Sequence, residues 1–279
     1  MSPVERQPLL LSGLPGRMAM EVARLARGAD DLAVQRVGLT SSTRHGSRCA
    51  VDDMEIALIA PGRETIRLPR GTIAVDYSTP GAALDNARWF ITHDLPFVMG
   101  TTGFEPAELE SLMRKASAPA VVAPNMAPPI VLLQAALHWL AGEFPGACRG
   151  TTLSVRESHQ QGKRDTSGTA RALVGFFQRL GIDFDESRIE ALRDPQRQRK
   201  ELAVPEAFLG AHAFHRYELN AAHDTVGLVL EHSVLGRRVY AEGTLRAVRF
   251  LRARIEAGVA GVIFGMEDVL REPDVPIGT

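Results

Sequence analysis

Through the first 125 residues, short apolar runs bounded by turn residues alternate with stretches in which apolar positions recur at helical spacing. That alternation predicts a parallel sheet covered by helices, an α/β arrangement. The strands are expected at Pro8–Ser12, Val34–Leu39, Ile56–Ala60, Ile73–Tyr77, Phe97–Gly100 and Val121–Ala123. Helices are expected at Met18–Arg27, with Met18, Val22 and Leu25 on its apolar face, across 81–94 through Leu84, Ala87 and Ile91, and at Pro106–Ala116. Past Asn125 the texture changes. A helix over Ile130–Gly142 precedes "TTLSVRESH", where Leu153, Val155, Glu157 and His159 share one strand face. Helical spacing returns at Ala170, Leu173, Val174, Phe177 and Leu180, with Thr166 or Ser167 as N-cap and Gly181 as stop. "AFHRYEL", "TVGLVLEHSV" and "RRVYAEGTL" read as strands of an antiparallel sheet, and "RDPQRQRK" as a solvated basic loop.

Composition narrows the function classes. With 45% hydrophobic and 23% charged residues, and 32 basic against 33 acidic side chains, the chain has ordinary globular composition. Neither a nucleic-acid nor a membrane partner is expected. "LLLSGL" is too short to anchor the chain, and Pro124, Pro128 and Pro129 interrupt the apolar run of residues 119–140. Cys49 and Cys148 lack metal-site spacing, which fits a reducing, cytoplasmic setting.

Candidate chemistry lies at four places. "LLLSGLPGRMAMEV" sets Gly13 and Gly16 between a strand and a helix, a turn that suits a pyrophosphate or serves geometry alone. At the end of the second strand, Thr40, Ser41, Ser42, Thr43 and Arg44 offer hydroxyls and a cation without an acid; a 2′-phosphate fits better there than a bare ribose, favouring NADPH with NADH as alternative. "MGTTGF" and "APNM" end later strands and offer Gly100, Thr101, Thr102 and Asn125 to a nicotinamide, or simply turn the chain. The fourth place is "ESHQQGKRDTSGTA": His159 and Lys163 stand just before helix-start amides at Gly168 and Thr169, a pattern suited to protonating a bound anion. Read blandly, Ser167 caps the helix, Lys163 is solvated and His159 is a satisfied strand-end residue. A metal site drawn from His159, His212, His215, His223 and His232 is not expected, since HxxH has no flanking helix or acidic ligand.

"GLPGRM", "VDYSTPGAALDNA", "PFVMGTTGF", "APNM", "ESHQQGKRDTSGTA", "HAFHRYEL", "VLEHSVLGRRVYAEGTL" and "FGMEDVL" follow one another as in the 4-hydroxy-tetrahydrodipicolinate (dihydrodipicolinate) reductases. The chain resembles that family end to end, most closely its plant-type branch. The resemblance implies a Rossmann-like dinucleotide-binding domain over 1–125, rejoined by 252–279, and an α+β substrate-binding and oligomerisation domain over 126–251 with a mixed or antiparallel sheet. It implies NAD(P)H-dependent reduction of a cyclic imine dicarboxylate in lysine and diaminopimelate synthesis, with loss of the 4-hydroxyl as water, by a homodimer or homotetramer.

Residue by residue, the resemblance makes His159 a proton donor or acceptor and Lys163 the donor. Gln160, Ser167, Gly168, Thr169 and Arg237 would bind substrate. Gly13, Pro15, Gly16, Arg17 and Met18 would hold the pyrophosphate; Gly100, Thr101, Thr102, Pro124, Asn125 and Met126 would line the nicotinamide side. Gln160 replaces the second histidine of many bacterial members, and Ala19 a common glycine. Pro128 and Pro129 suggest a stiffer hinge, which motivates a sister reductase for another cyclic imine acid as the alternative. A non-catalytic cofactor-binding protein is the third reading, disfavoured by retention of His159 and Lys163.

Overall fold

A computed structural model describes residues 6–273 apart from Arg164, Ala222 and Asp224. The chain divides into two compact units, 1–128 with 238–279, and 129–237. In chain order the elements are β1 (Gln7–Ser12), α1 (Arg17–Arg27), β2 (Leu32–Leu39), β3 (Arg48–Val51), β4 (Met54–Ile59), β5 (Ile73–Asp76), α2 (Pro80–Thr92), β6 (Phe97–Met99), α3 (Pro106–Met113) and β7 (Ala120–Val122). They continue as α4 (Pro128–Glu143), β8 (Thr152–His159), α5 (Gly168–Arg179), β9 (Glu190–Leu192), α6 (Pro195–Leu202), β10 (His212–Ala221), β11 (Val226–Leu235), α7 (Arg238–Glu256), β12 (Ile263–Phe264) and α8 (Met266–Arg271).

The first unit is an α/β Rossmann-like layer around an eight-stranded sheet of order β12-β7-β6-β5-β1-β2-β4-β3. Every pairing is parallel except β3 with β4. Central strands are apolar without alternation because helices cover both faces: Leu9, Leu10 and Leu11, and Ile73, Ala74 and Val75, are buried. From β1 the chain steps outward through β2 and β4 on one side, and through β5, β6 and β7 on the other. The reversal between β1 and β5 opens a crevice at the strands' C-terminal ends.

Helix α1 buries Ala19, Val22, Ala23 and Ala26 rather than the expected face of Met18 and Leu25, which stay half-buried. Small side chains suit a close helix contact, and α1 packs against α7. Helix α7 also corrects the reading of "RRVYAEGTL" as strand. Val239 and Tyr240 favour strands locally, but Ala241, Thr244, Leu245, Val248 and Leu251 recur at helical spacing and are buried. The return to the first unit consequently starts at Arg238, where α7 begins, and not at 252.

The second unit has a four-stranded sheet of order β11-β10-β8-β9, antiparallel except between β8 and β9. One face carries Leu153, Val155, Tyr217 and Leu219 and packs against Leu137 and Ala141 of α4 and Leu173, Val174 and Phe177 of α5. Pro128 and Pro129 are the first two residues of α4, where no intrahelical amide donor is required, so they open a helix instead of disrupting one. "RDPQRQRK" is not a loop. Asp194 accepts the Arg197 amide at 2.8 Å as N-cap, Pro195 follows at the first helical position, and α6 results with Gln198 fully buried.

Candidate functional site

In the first unit, the crevice is organised by a carboxylate that sequence reasoning passed over. Asp76 ends β5 and is fully buried. Its Oδ1 accepts from Ser12 Oγ at 2.6 Å and Asn86 Nδ2 at 2.8 Å, and its Oδ2 from Ser78 Oγ at 2.9 Å and Thr101 Oγ1 at 2.5 Å. One side chain thus ties together the loops after β1, β5 and β6. Its signal in the sequence was faint: an acid closing the apolar run "IAVD".

Glycine is required where these loops meet. Gly13 has φ +93°, and a Cβ there would lie 2.2 Å from the Tyr77 carbonyl oxygen; at Gly100 it would lie 2.2 Å from the Tyr77 ring. The Gly16 amide donates to the Gly13 carbonyl at 2.7 Å, and Gly16 caps α1 without a side-chain hydrogen bond. Arg17 and Met18 therefore occupy the first turn of a helix whose amides face the crevice end of the sheet, which suits an anionic group. Pro15, between the two glycines, is exposed.

Other predicted cofactor residues are engaged within the fold. Thr40 Oγ1 donates to the Leu14 carbonyl at 2.6 Å, so it buttresses the glycine turn. Thr101 serves Asp76, and the Gly100 amide donates to the Asp76 carbonyl at 3.0 Å. Asn125 is buried and its Oδ1 accepts the Ala127 amide at 2.9 Å; Met126 is buried, while Thr102 and Pro124 are exposed. Ser41 and Arg44 lie on an exposed turn beyond β2, with Ser41 Oγ 2.9 Å from Thr43 Oγ1.

In the second unit, strand alternation brings Glu157 and His159 to the covered face of β8, as the pattern predicted. Glu157 is fully buried. Its Oε2 accepts the Ser167 amide at 2.9 Å, and Arg193 donates to Oε1. His215 Nε2 stands 3.7 Å, and His159 Nε2 3.9 Å, from the same carboxylate. Burial favours the neutral acid, but His215, Arg193 and the Ser167 amide outweigh it and hold the Glu157 carboxyl below its usual range. For His159, burial and then the neighbouring His215 push the imidazole below its usual range, against the pull of Glu157. His159 is therefore neutral near pH 7.

Lys163 follows on a turn in which its amide donates to the Gln160 carbonyl at 3.0 Å; both side chains are half-buried. Ser167 is the N-cap of α5 without a side-chain cap bond, and Gly168 and Thr169 open the helix. Arg237 hangs from the end of β11, its guanidinium 3.5 Å from the Gly210 carbonyl. Since Leu235 pairs with His212 and Ala213 with His159, Arg237 and His159 belong to the same end of the sheet.

HxxH is split by the strand it lies on. His212 faces Ser158, 2.9 Å away, while His215 faces Glu157 across the other surface. Glu157, His159 and His215 do cluster with their ligand atoms within 4.8 Å. As a metal trio they fit poorly, because both Glu157 oxygens are already engaged by a guanidinium and an amide. Arg193 and Gln198, from a stretch the sequence presented as a solvated loop, were missed altogether. Only the Asp194-Pro195 helix start hinted that this stretch was ordered.

Comparison with known proteins agrees with both halves of this description. Residues 7–126 match the family described as "Dihydrodipicolinate reductase, N-terminus", and residues 129–270 its C-terminus. The chain is 38% identical to "4-hydroxy-tetrahydrodipicolinate reductase 1, chloroplastic" of Arabidopsis thaliana, over 95% of this chain and 78% of that one. It is 30% identical to the 4-hydroxy-tetrahydrodipicolinate reductase of Rubrobacter xylanophilus, over 93% and 96%. Among solved structures, the dipicolinate-bound dihydrodipicolinate reductase of Paenisporosarcina sp. TG-14 shares the fold at TM-score 0.62 and 15% identity, over 94% of this chain and 99% of that one. With a parallel sheet opening beside a glycine turn, a buried acid, imidazole and helix start on a second sheet, and both family halves matched in order, the chain belongs to the dihydrodipicolinate reductase family.

Proposed function

We propose that the protein reduces 4-hydroxy-tetrahydrodipicolinate to tetrahydrodipicolinate with a nicotinamide cofactor, in the synthesis of lysine and diaminopimelate. The observation that carries this reading is the meeting of His159, Glu157 and the start of α5 at one end of the second sheet, with Lys163 on the turn between them. The glycine turn of the first unit, at the start of α1, fits the pyrophosphate of a dinucleotide. When bound, that cofactor supplies a hydride to C4 of the ring, from which the 4-hydroxyl has left as water. The amides of Gly168 and Thr169 hold one substrate carboxylate, and the Arg237 guanidinium the other. Gln160 and Ser167 border the same space.

The Lys163 ammonium donates the proton that C3 receives. A neutral His159 cannot be the first donor near pH 7; it orients the substrate and passes a proton onward. NADPH is the preferred cofactor in this reading, since Ser41 and Arg44 are exposed beyond β2 and no acid stands among residues 40–44. NADH serves as the second choice. Coupled assays with enzymatically generated substrate test the reading: oxidation of NADPH exceeding that of NADH is expected, with Lys163→Ala lowering kcat about 10²–10⁴-fold. Greater activity on another cyclic imine acid would instead favour a sister reductase.

A second copy of this chain is the partner best suited to the open sheet. Val226, Leu228, Val229 and Leu235 of the edge strand β11 are each 45% exposed or more. Light scattering is expected to give a dimer or tetramer mass, and a monomer would overturn this part. Cys49 and Cys148 are both free, which supports a reducing compartment such as the cytoplasm. No helix among the described residues is long and apolar enough to cross a membrane.

A further inference from the structure

The backbone carbonyls of His159 and Lys163 are held by two side chains from beyond β9: Arg193, just before α6, and Gln198, within it. Arg193, with its side chain only 17% exposed, spends three nitrogens there. Its Nε donates to the Lys163 carbonyl at 3.0 Å, one terminal nitrogen to Glu157 Oε1, and the other to the Leu192 carbonyl at 3.3 Å. Gln198, fully buried, donates from Nε2 to the His159 carbonyl at 2.7 Å and to the Leu192 carbonyl at 3.2 Å. Glu157 in turn accepts the Ser167 amide. The chain is thereby fixed where it leaves β8, where it carries Lys163 and where it enters α5.

We propose that Arg193 is a positioning residue for the proton transfer, setting the place of the Lys163 ammonium relative to the carboxylate-binding amides of α5. The inference rests on the proposed role of Lys163 as donor. A guanidinium is suited to this task because Nε and a terminal nitrogen lie in one plane and point the same way, so one rigid group bridges a carbonyl and a carboxylate. A lysine at 193 reaches one of those acceptors, not both. Each of its three guanidinium nitrogens is spent on a group of the protein itself, so Arg193 is placed to act through the turn rather than on the substrate. Loss of Arg193 leaves the helix start that binds the carboxylate, but frees the turn that aims the proton. Its effect therefore falls on kcat rather than KM.

The test is a double-mutant cycle with the full-length enzyme. Arg193→Ala and Arg193→Lys are each expected to lower kcat about 10–100-fold with KM changed less than about threefold, because misplacing a reacting group by about 1 Å costs on this scale. In a Lys163→Ala background the same substitutions are expected to change kcat less than about threefold, since a residue acting through Lys163 has nothing left to aim. The solvent deuterium isotope effect on kcat is expected to rise in both Arg193 variants, as proton transfer becomes the slow step. NADPH binding, followed by fluorescence, reports whether each variant is folded; should Arg193→Ala fail to fold, Arg193→Lys carries the cycle. Equal losses with and without Lys163, or an unchanged isotope effect, would reduce Arg193 to a structural tie and overturn the inference. Should Lys163→Ala itself retain wild-type kcat, the underlying reading falls first; full activity of the Arg193 variants beside an inactive Lys163→Ala defeats the inference alone.

Discussion

Among the described residues each unit buries one carboxylate completely, and the two are satisfied by opposite means. Asp76 is surrounded by neutral donors, the hydroxyls of Ser12, Ser78 and Thr101 and the amide of Asn86. Glu157 faces a guanidinium, two imidazoles and a backbone amide. Both solve the problem that an unpaired buried charge is prohibitively costly. Asp76 thereby orders loops around a crevice using groups that do not ionise near neutral pH. Glu157 orders the loop that carries the proposed proton donor, and the side chains facing it are a guanidinium and two imidazoles rather than neutral hydroxyls.

That contrast sets the ranking of substitutions. Glu157→Ala strands the Arg193 guanidinium in the interior and is expected to cost about 3–5 kcal/mol of stability, whereas Asp76→Ala leaves rotatable hydroxyls and an amide and is expected to cost about 1–3 kcal/mol. Urea unfolding measures both; equal losses would break the comparison, and so would an undiminished cost of Glu157→Ala in an Arg193→Met background.

The smaller expected effect concerns acid. Burial and then His215 lower the His232 imidazole from the usual 6.5 to about 4. Above pH 6.5, His232 is neutral both folded and unfolded, and its full contribution to stability is present. As pH falls from 6.5 towards 4 the unfolded chain takes up a proton that the folded one refuses, so stability drops and then levels. His232→Phe is expected to remove on the order of 1–2 kcal/mol of that loss, seen as a smaller fall in Tm between pH 7 and pH 5. An identical fall in the variant would show that His232 does not set the acid response.

Local pattern was a good guide wherever one element decides the outcome. Alternation alone placed Glu157 and His159 on the covered face of β8, and the strand-turn-helix at Gly13 and Gly16 was readable because steric demand is local. Long-range meetings were not readable. Arg193 reaches Glu157 from 36 positions away, and nothing in "RDPQRQRK" distinguishes the arginine that turns inward from those that stay solvated. Asp76 gathers partners from β1, α2 and two loops, and nothing in the sequence signalled that the hydroxyls of Thr40 and Thr101 would donate to the Leu14 carbonyl and to Asp76. The strand reading of residues 237–245 failed for a related reason. Propensity at Val239 and Tyr240 was overridden by the apolar face that α7 presents to α1.

The placement of α7 also dictates an order of events during synthesis. Ribosomes release a chain from its N-terminus, yet α1 has no α7 to pack against, and β7 no β12 beside it, until residues 238–264 have emerged. By then every residue of the inserted second unit has already been made. The unit that begins the chain is therefore the last able to finish, and the nascent protein must shelter an incomplete parallel sheet while the later-made one closes around its own core.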